Sequence, residues 1–375
     1  MKICFVINKY DFFYTHRFAL AKKFTSFSEV SVLTDLDNAD KKIIEKISKS
    51  DISLYSIPKR SSRKGMAGFF IYLARVRNAI KKIEPDVVFF VTLEISLIGA
   101  IISWFNTRIN SYYLITGYGP YFFKTNIKNK IFYVVNKYIF ISSAKKFNSK
   151  FVFQNADDKN IFLNNGFASE KNILLIHGSG IETEEIKFIQ RHGSQSISFL
   201  FASRLVKSKG IIEYIEAGKI IKEIYPEVTL NIAGKYDILD SDKISNELFL
   251  EIQNSDIFNY LGNIDHDSIY NYLLNSDIFT LPSHGEGLPK AALEAAASGM
   301  PLILSDASGC KECIQGKENG LLVKMMSVES VKHAMETIIL NPELVAEMGS
   351  ASRKLIENKF SINNIANQYK KELMG

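Results

Sequence analysis

Two carboxylates and two cations are the residues of this chain whose types and spacing most plainly invite chemistry. Glu286 and Glu294 bracket the segment Glu286-Gly287-Leu288-Pro289-Lys290-Ala291-Ala292-Leu293-Glu294, which lies between the apolar run 278–281 and the helix-forming stretch 291–297. A strand that runs into a Gly/Pro turn and then a helix aims backbone N–H groups and acidic side chains at whatever lies beyond the strand end. Glycine permits close backbone approach, proline starts the helix, and the carboxylates accept hydrogen bonds from vicinal hydroxyls. That combination reads as a sugar-nucleotide site. Two glutamates at a helix start are in themselves more often solvent-facing charge, so the weight comes from their company. Arg204 and Lys209 flank a short loop that closes on Gly210 at a helix start, where a planar fork and a point charge together meet a diphosphate.

Each of these segments follows an apolar run of strand length. Arg204 follows 197–202, Gly262-Asn263 follows 257–261, the carboxylate segment follows 278–281, and His177-Gly178-Ser179-Gly180 follows 173–176. A parallel sheet would set all four on one rim. The N-terminal half alternates strands near 2–8, 29–34, 52–57, 86–91, 112–116, 150–154 and 173–176 with helices such as 66–82, where Met66, Phe69, Phe70, Leu73, Val76 and Ile80 keep a three-to-four spacing. After a polar break at 182–194 the alternation restarts, with strands at 197–202, 228–233, 257–261, 278–281, 301–304 and 320–323. The pattern predicts an α/β protein of two doubly wound, Rossmann-like domains, 1–182 and 183–357, binding its ligand in a cleft between them. No G-x-G-x-x-G follows the first strand, where Asn8-Lys9-Tyr10-Asp11 stand instead. A nicotinamide or flavin enzyme is thereby disfavoured.

At 375 residues, with 46% hydrophobic and 23% charged residues, the chain has the length and composition of two ordinary globular domains. Its three cysteines are Cys4, Cys310 and Cys313. The C-x-x-C has no second pair and no histidine cluster beside it, so a reduced cytoplasmic protein is expected rather than a zinc or redox site. Residues 1–180 carry 27 lysines and arginines against 13 acidic residues, whereas the remainder carry 19 against 27. Such a basic, aromatic-rich half calls for an anionic partner. No zinc-finger, RNP or helix-turn-helix pattern favours nucleic acid. The stretches 60–82 and 124–150 interleave cations with aromatics, as helices do that lie in the headgroup plane of an anionic membrane surface. The apolar run 87–105 changes character midway, from Val87-Val88-Phe89-Phe90-Val91 to a helical pattern, and reads as strand then helix rather than a span. The N-terminus enters a strand at once and shows no signal peptide.

Taken in order, the motifs resemble the family-four retaining glycosyltransferases. Glu286 to Glu294 matches that family's E-x7-E element. Pro282-Ser283-His284-Gly285-Glu286-Gly287-Leu288-Pro289 and Gly299-Met300-Pro301-Leu302-Ile303 look like its core, and Gly309-Cys310-Lys311-Glu312 with Asn319-Gly320-Leu321-Leu322-Val323 like its tail. Further matches lie at 115–119, 177–181 and 202–210. The resemblance runs from about residue 55 to the C-terminus and is densest over 173–325. It implies the GT-B fold, two Rossmann-like domains facing each other across a cleft, with a C-terminal helix (358–375) returning to the N-terminal domain.

Roles follow from that resemblance position by position. Arg204 and Lys209 would hold the donor diphosphate and stabilise the nucleotide as it leaves. Glu286 would accept from hydroxyls of the transferred sugar, beside the backbone of Gly287, Leu288 and Pro289, and Glu294 from the ribose. Asn263 and Ile264 would face the base, Gly117 would lie near the diphosphate, Ser179 and Gly180 at the cleft floor, and His16 toward the acceptor. No metal or other cofactor is implied, because the two cations and a helix dipole supply the positive charge. Many relatives carry a histidine after the fourth strand that helps hold the sugar; here Phe89 and Val91 cannot do so, which leaves Thr92 or Glu94 by position. The implied activity moves a hexose or N-acetylhexosamine from a UDP-sugar donor to a lipid-linked, polyprenyl-diphosphate saccharide. Similar enzymes build bacterial O-antigen or capsule from the inner face of the cell membrane. A GT-B epimerase or phosphorylase lacks its signature here. A non-catalytic binder would have lost one of Arg204, Lys209, Glu286 and Glu294, and all are present.

Overall fold

The structure, a computed structural model, describes residues 1–37, 39–58, 65–105, 108–117, 127–146, 148–193, 196–264 and 268–375. It separates into two compact units. The first comprises Met1–Gly180 and Ile365–Gly375, the second Ile181–Asn364.

Unit 1 is built on seven strands: β1 Lys2–Val6, β2 Glu29–Thr34, β3 Ile52–Ser56, β4 Val87–Val91, β5 Asn110–Ile115, β6 Ser149–Phe153 and β7 Ile173–Leu175. All neighbours are parallel, in the order β3-β2-β1-β4-β5-β6-β7. Strand β4 is Val-Val-Phe-Phe-Val and buried throughout, the continuous apolar run that a parallel strand covered on both faces requires. The direction of winding reverses between β1 and β4, so their carboxyl ends form the topological switch point of this sheet. The run 87–105 resolves into β4 and the helix Leu93–Ser103. Among the described residues no helix is long and apolar enough to cross a membrane.

An aromatic cluster fills one side of the sheet. Phe89 stacks on Phe5 at 5.0 Å between ring centroids and lies 5.0 Å from Tyr112 and 5.5 Å from Tyr369. Tyr369 belongs to the helix Ile362–Met374, whose later residues are part of unit 1, and Lys150 reaches Glu372 of the same helix at 3.7 Å. Phe89 is therefore core, which is why it is not a hydrogen-bonding residue.

Unit 2 repeats the plan with six parallel strands: β8 Ser198–Ala202, β9 Thr229–Ala233, β10 Phe258–Tyr260, β11 Ile278–Leu281, β12 Leu302–Ser305 and β13 Gly320–Val323, in the order β10-β9-β8-β11-β12-β13. Its switch point lies between β8 and β11.

Two local expectations need correction, and one stretch gains a structural role. The strand before His177 is β7 and pairs with β6 in unit 1, so His177-Gly178-Ser179-Gly180 do not share the rim of the unit 2 sheet. The polar break at 182–194, up to its described end, is packed into unit 2. Arg191 is 5% exposed and donates to the carbonyl oxygens of Ser276 (2.8 Å), Ser298 (2.6 Å) and Leu273 (2.5 Å), while Arg353 donates to those of Ile186 and Thr183. Polarity there satisfies buried carbonyls. The return to unit 1 comes after Asn364 rather than at 358, because Ile181 accepts from Ile362 N–H and donates to Phe360, both at 2.8 Å.

Truncating the stacked ring should be severe. Phe89→Ala is expected to destabilise unit 1 by about 3–5 kcal/mol and to lower its calorimetric transition by roughly 2–4 °C for each kcal/mol.

Candidate functional site

The switch point of unit 2 is where its chemistry gathers. After β8 the chain runs through a 3-10 turn, Lys207–Lys209, to Gly210, which has φ +74° and opens the helix Ile211–Ile224. A Cβ on Gly210 would lie 2.1 Å from the carbonyl oxygen of Pro282, just beyond β11. Only glycine permits that approach. The two loops are sewn together further: His284 N–H donates to Ser208 O at 2.8 Å, Ser283 Oγ donates to the same oxygen at 3.0 Å, and Asp242 accepts from both the amide and the hydroxyl of Ser208. From this junction Lys209 Nζ reaches Glu286 Oε1 at 2.5 Å, with side chains 17% and 14% exposed. Partial burial lowers the local dielectric and strengthens this ion pair. Gly309, at φ +76°, backs the carboxylate loop; a Cβ there would sit 2.3 Å from Glu286 O and 2.7 Å from Gly287 O. Beside it, burial pushes the Cys310 thiol up to about 12, with the Glu286 charge adding to the shift. Buried Cys313 and Cys4 are raised for the same first reason.

Glu294 sits one helical turn on, in the helix Lys290–Ala297, for which Pro289 is the cap rather than the first helical residue. It is 4% exposed and Lys290 Nζ lies 3.1 Å from its Oε1. The i, i+4 spacing made that partner readable. Arg204 is placed differently from Lys209. Its guanidinium donates to Asp240 at 2.7 Å and its side chain is 61% exposed. Gly287 and Leu288 lie in the loop over Gly309; Asn263 is exposed and Ile264 packs against the core after β10. Gly234 N–H donates to Gly262 O at 2.9 Å, and Tyr260 OH to Gly234 O at 3.0 Å, which fixes that loop against the end of β9. Sequence reading missed Asp240, Asp242 and the His284–Glu213 contact, 2.9 Å long, since each joins segments far apart in the chain.

The remaining candidates belong to unit 1. Gly117 follows β5 with φ +138° and no described residue within 4 Å of where its Cβ would be, while Ser179 and Gly180 follow β7, with Gly178 at φ +77° and Gly180 at φ +83°. His16 ends the helix Tyr10–His16, stacked 4.3 Å from Phe12 with Nδ1 2.7 Å from Thr15 Oγ1. Thr92, at the end of β4, adopts φ +83° and buries a hydroxyl that has no hydrogen-bond partner. Tyr118 and Gly119, Arg60, Arg63, Lys64 and Lys124 lie outside the described residues.

Comparison with known proteins agrees with this arrangement. Residues 182–355 match the family model "Glycosyl transferases group 1" and residues 2–153 the model "Glycosyl transferase 4-like". The chain is 32% identical to the capsular polysaccharide biosynthesis glycosyltransferase CapM of Staphylococcus aureus over 43% of this chain and 41% of that protein. In such matches it spans about half the length, or less, of the curated relatives. It is 26% identical, over 92% of this chain and 90% of the relative, to an N,N'-diacetylbacillosaminyl-diphospho-undecaprenol alpha-1,3-N-acetylgalactosaminyltransferase of Campylobacter jejuni. The crystal structure of Anabaena HepE in complex with UDP superposes with a TM-score of 0.79 at 19% identity, covering 100% of this chain and 99% of that one. The fold is thus GT-B, built of two Rossmann-like units.

Two outcomes follow from the packing. Gly309→Ala should strain the carboxylate loop by about 1–3 kcal/mol and lower the unit 2 melting transition by roughly 2–4 °C per kcal/mol. Iodoacetamide at pH 8 should label none of the three buried thiols in the folded protein, as read by intact mass, because a neutral buried thiol is inert.

Proposed function

The chain belongs to the group 1 and 4-like glycosyl transferases, and from that premise we propose that it is a retaining, metal-independent hexosyltransferase that moves a hexose or N-acetylhexosamine from a UDP-sugar to a lipid-linked saccharide. The single observation that carries this reading is the Lys209–Glu286 pair of 2.5 Å at the switch point. An ammonium and a carboxylate held together by two loops are the two groups a nucleotide sugar needs, one for its diphosphate and one for its hydroxyls. Donor binding exchanges their mutual contact for contacts to the ligand.

In the proposed reaction the bond from the anomeric carbon to the phosphate oxygen breaks as the acceptor oxygen bonds to the same face of that carbon. The acceptor's proton passes to the leaving phosphate oxygen, so no protein nucleophile is needed and the anomeric configuration is kept. Lys209, with Arg204 once it is drawn from Asp240, stabilises the charge that develops on the nucleotide. Glu286 accepts from the sugar hydroxyls, and Glu294, oriented by Lys290, accepts from the ribose. The backbone of Gly287, Leu288 and Pro289 lines the sugar, and Asn263 and Ile264 the base. Because Lys209 and Arg204, with a helix dipole, supply the positive charge, the proposed reaction calls for no metal. Within unit 1, His16, Gly117, Ser179 and Gly180 are proposed as ligand-facing residues on the family resemblance alone.

Uracil as the base is supported by the HepE complexes with UDP and with UDP-glucose. A polyprenyl-diphosphate acceptor is supported by the name of the Campylobacter relative, and bacterial surface polysaccharide by that of CapM. On this reading a lipid-linked acceptor and a UDP-sugar donor would meet at the cytoplasmic, anionic face of the membrane, and no nucleic-acid partner is proposed.

Nucleotide release from a panel of UDP- and GDP-sugars, with and without a polyprenyl-diphosphate saccharide, tests this. Acceptor-dependent release is expected, undiminished by EDTA, and Lys209→Ala should cut kcat by about 10²–10³-fold, the scale of losing one transition-state charge contact. Near-normal turnover in that variant removes the diphosphate role, and sugar interconversion without acceptor would establish an epimerase instead.

A further inference from the structure

The helix Ile127–Lys146 presents an apolar stripe to solvent. Ile131, Val134, Val135 and Tyr138 follow one another at i, i+3, i+4 and i+7 and are 61%, 63%, 50% and 67% exposed. The opposite side of the same helix, with Tyr133, Phe140 and Ala144, is buried in the unit 1 core. The stripe is thus a second apolar face, beyond what folding uses. The helix Leu93–Ser103 packs beside it and the helix Gly65–Ile83 beside that. Both extend the surface: Trp104 and Phe105 are exposed at the end of the first, Phe70 and Ile71 on the second, and the Arg77 guanidinium lies 5.3 Å from the Phe105 ring centroid. Neither 65–83 nor 127–146 contains a single acidic residue, whereas both carry lysines or arginines at several positions; the middle helix has one acid, Glu94, in its first turn, at the end away from Trp104 and Phe105.

We propose that this three-helix face docks on an anionic lipid bilayer, with Ile131, Val134, Val135 and Tyr138 seated at the boundary between headgroups and acyl chains. Charge complementarity selects that occupant. Cations flanking an apolar stripe, on a helix that has no acidic residue of its own, fit a sheet of phosphates above hydrocarbon; a protein partner or second copy would have to bring both an apolar groove and a dense acidic rim. The choice of a lipid surface rests on the transferase reading, which requires a lipid-linked acceptor, and it assigns the docking surface to particular residues.

The experiment uses the full chain and phosphatidylcholine vesicles with and without 30 mol% phosphatidylglycerol. Trp104 is the one tryptophan of the sequence, so its emission reports on this face directly. Flotation with the anionic vesicles is expected, with a blue shift of Trp104 and progressive release as salt rises. Val134→Glu with Val135→Glu should reduce partitioning at least tenfold, and Lys130→Glu with Lys145→Glu should abolish the preference for anionic vesicles. UDP binding, measured by calorimetry, should be unchanged in both variants, which also shows that they fold. Absence of flotation, equal flotation of the variants, or a dimer in sedimentation that the glutamates dissociate would each overturn the docking proposal. Failure of UDP to bind while flotation persists would count against the transferase reading alone.

Discussion

A lysine ammonium 2.5 Å from a glutamate carboxylate, both mostly shielded from water, sets the organisation of the unit 2 rim. Shielding makes each charge expensive to leave alone, so the pair holds only while both loops keep their positions. Two glycines fix those positions. Gly210 brings the turn after β8 against Pro282, and Gly309 brings the segment after β12 against Glu286 and Gly287. Any side chain at either point pushes the loops apart before it alters a charge. The hydrogen bonds from His284 and Ser283 to a single carbonyl, that of Ser208, carry the same constraint through the backbone. A ligand that separates the ion pair meets a preformed cradle and not a loop that must first be ordered, and preorganisation of this kind is what lowers the entropy loss of binding.

Much of this was legible in the sequence, for a physical reason. Parallel strands buried on both faces must be continuous apolar runs, so Val87-Val88-Phe89-Phe90-Val91 and the segment ending at Leu281 announced themselves. The loops that follow such strands are where a doubly wound sheet exposes its chemistry, and Arg204, Lys209 and Glu286 stand there. Pairing was not legible. Lys209 and Glu286 are 77 residues apart, Arg204 and Asp240 are 36 apart, and no local spacing links them. Neither was it legible that β7 pairs with β6, because a three-residue strand carries the same apolar signal in either sheet. The burial of Arg191 was not legible either: its guanidinium donates to buried carbonyls of segments more than 80 residues away in the chain. On the helix Ile127–Lys146 apolar residues occur on two sides, and the sequence cannot say which side the core takes.

The two units use their switch points differently. In unit 2 that position holds charges and glycines. In unit 1 the corresponding strand ends lead to Thr92, whose φ of +83° and unpaired buried hydroxyl mark a strained position, while the faces of β1 and β4 are given over to Phe5 and Phe89.

Unit 2 is inserted, in sequence, between the two pieces of unit 1. Tyr369, which closes the ring cluster against Phe24 and Phe89, leaves the ribosome only after the whole of unit 2 has been made. At about 5–20 residues per second, translation from residue 180 to residue 369 takes roughly 10–40 s. Throughout that interval Phe24 and Phe89 lack the ring that packs edge-on against both of them. The second unit, whose residues are contiguous, is complete in sequence before the last piece of the first unit has been made.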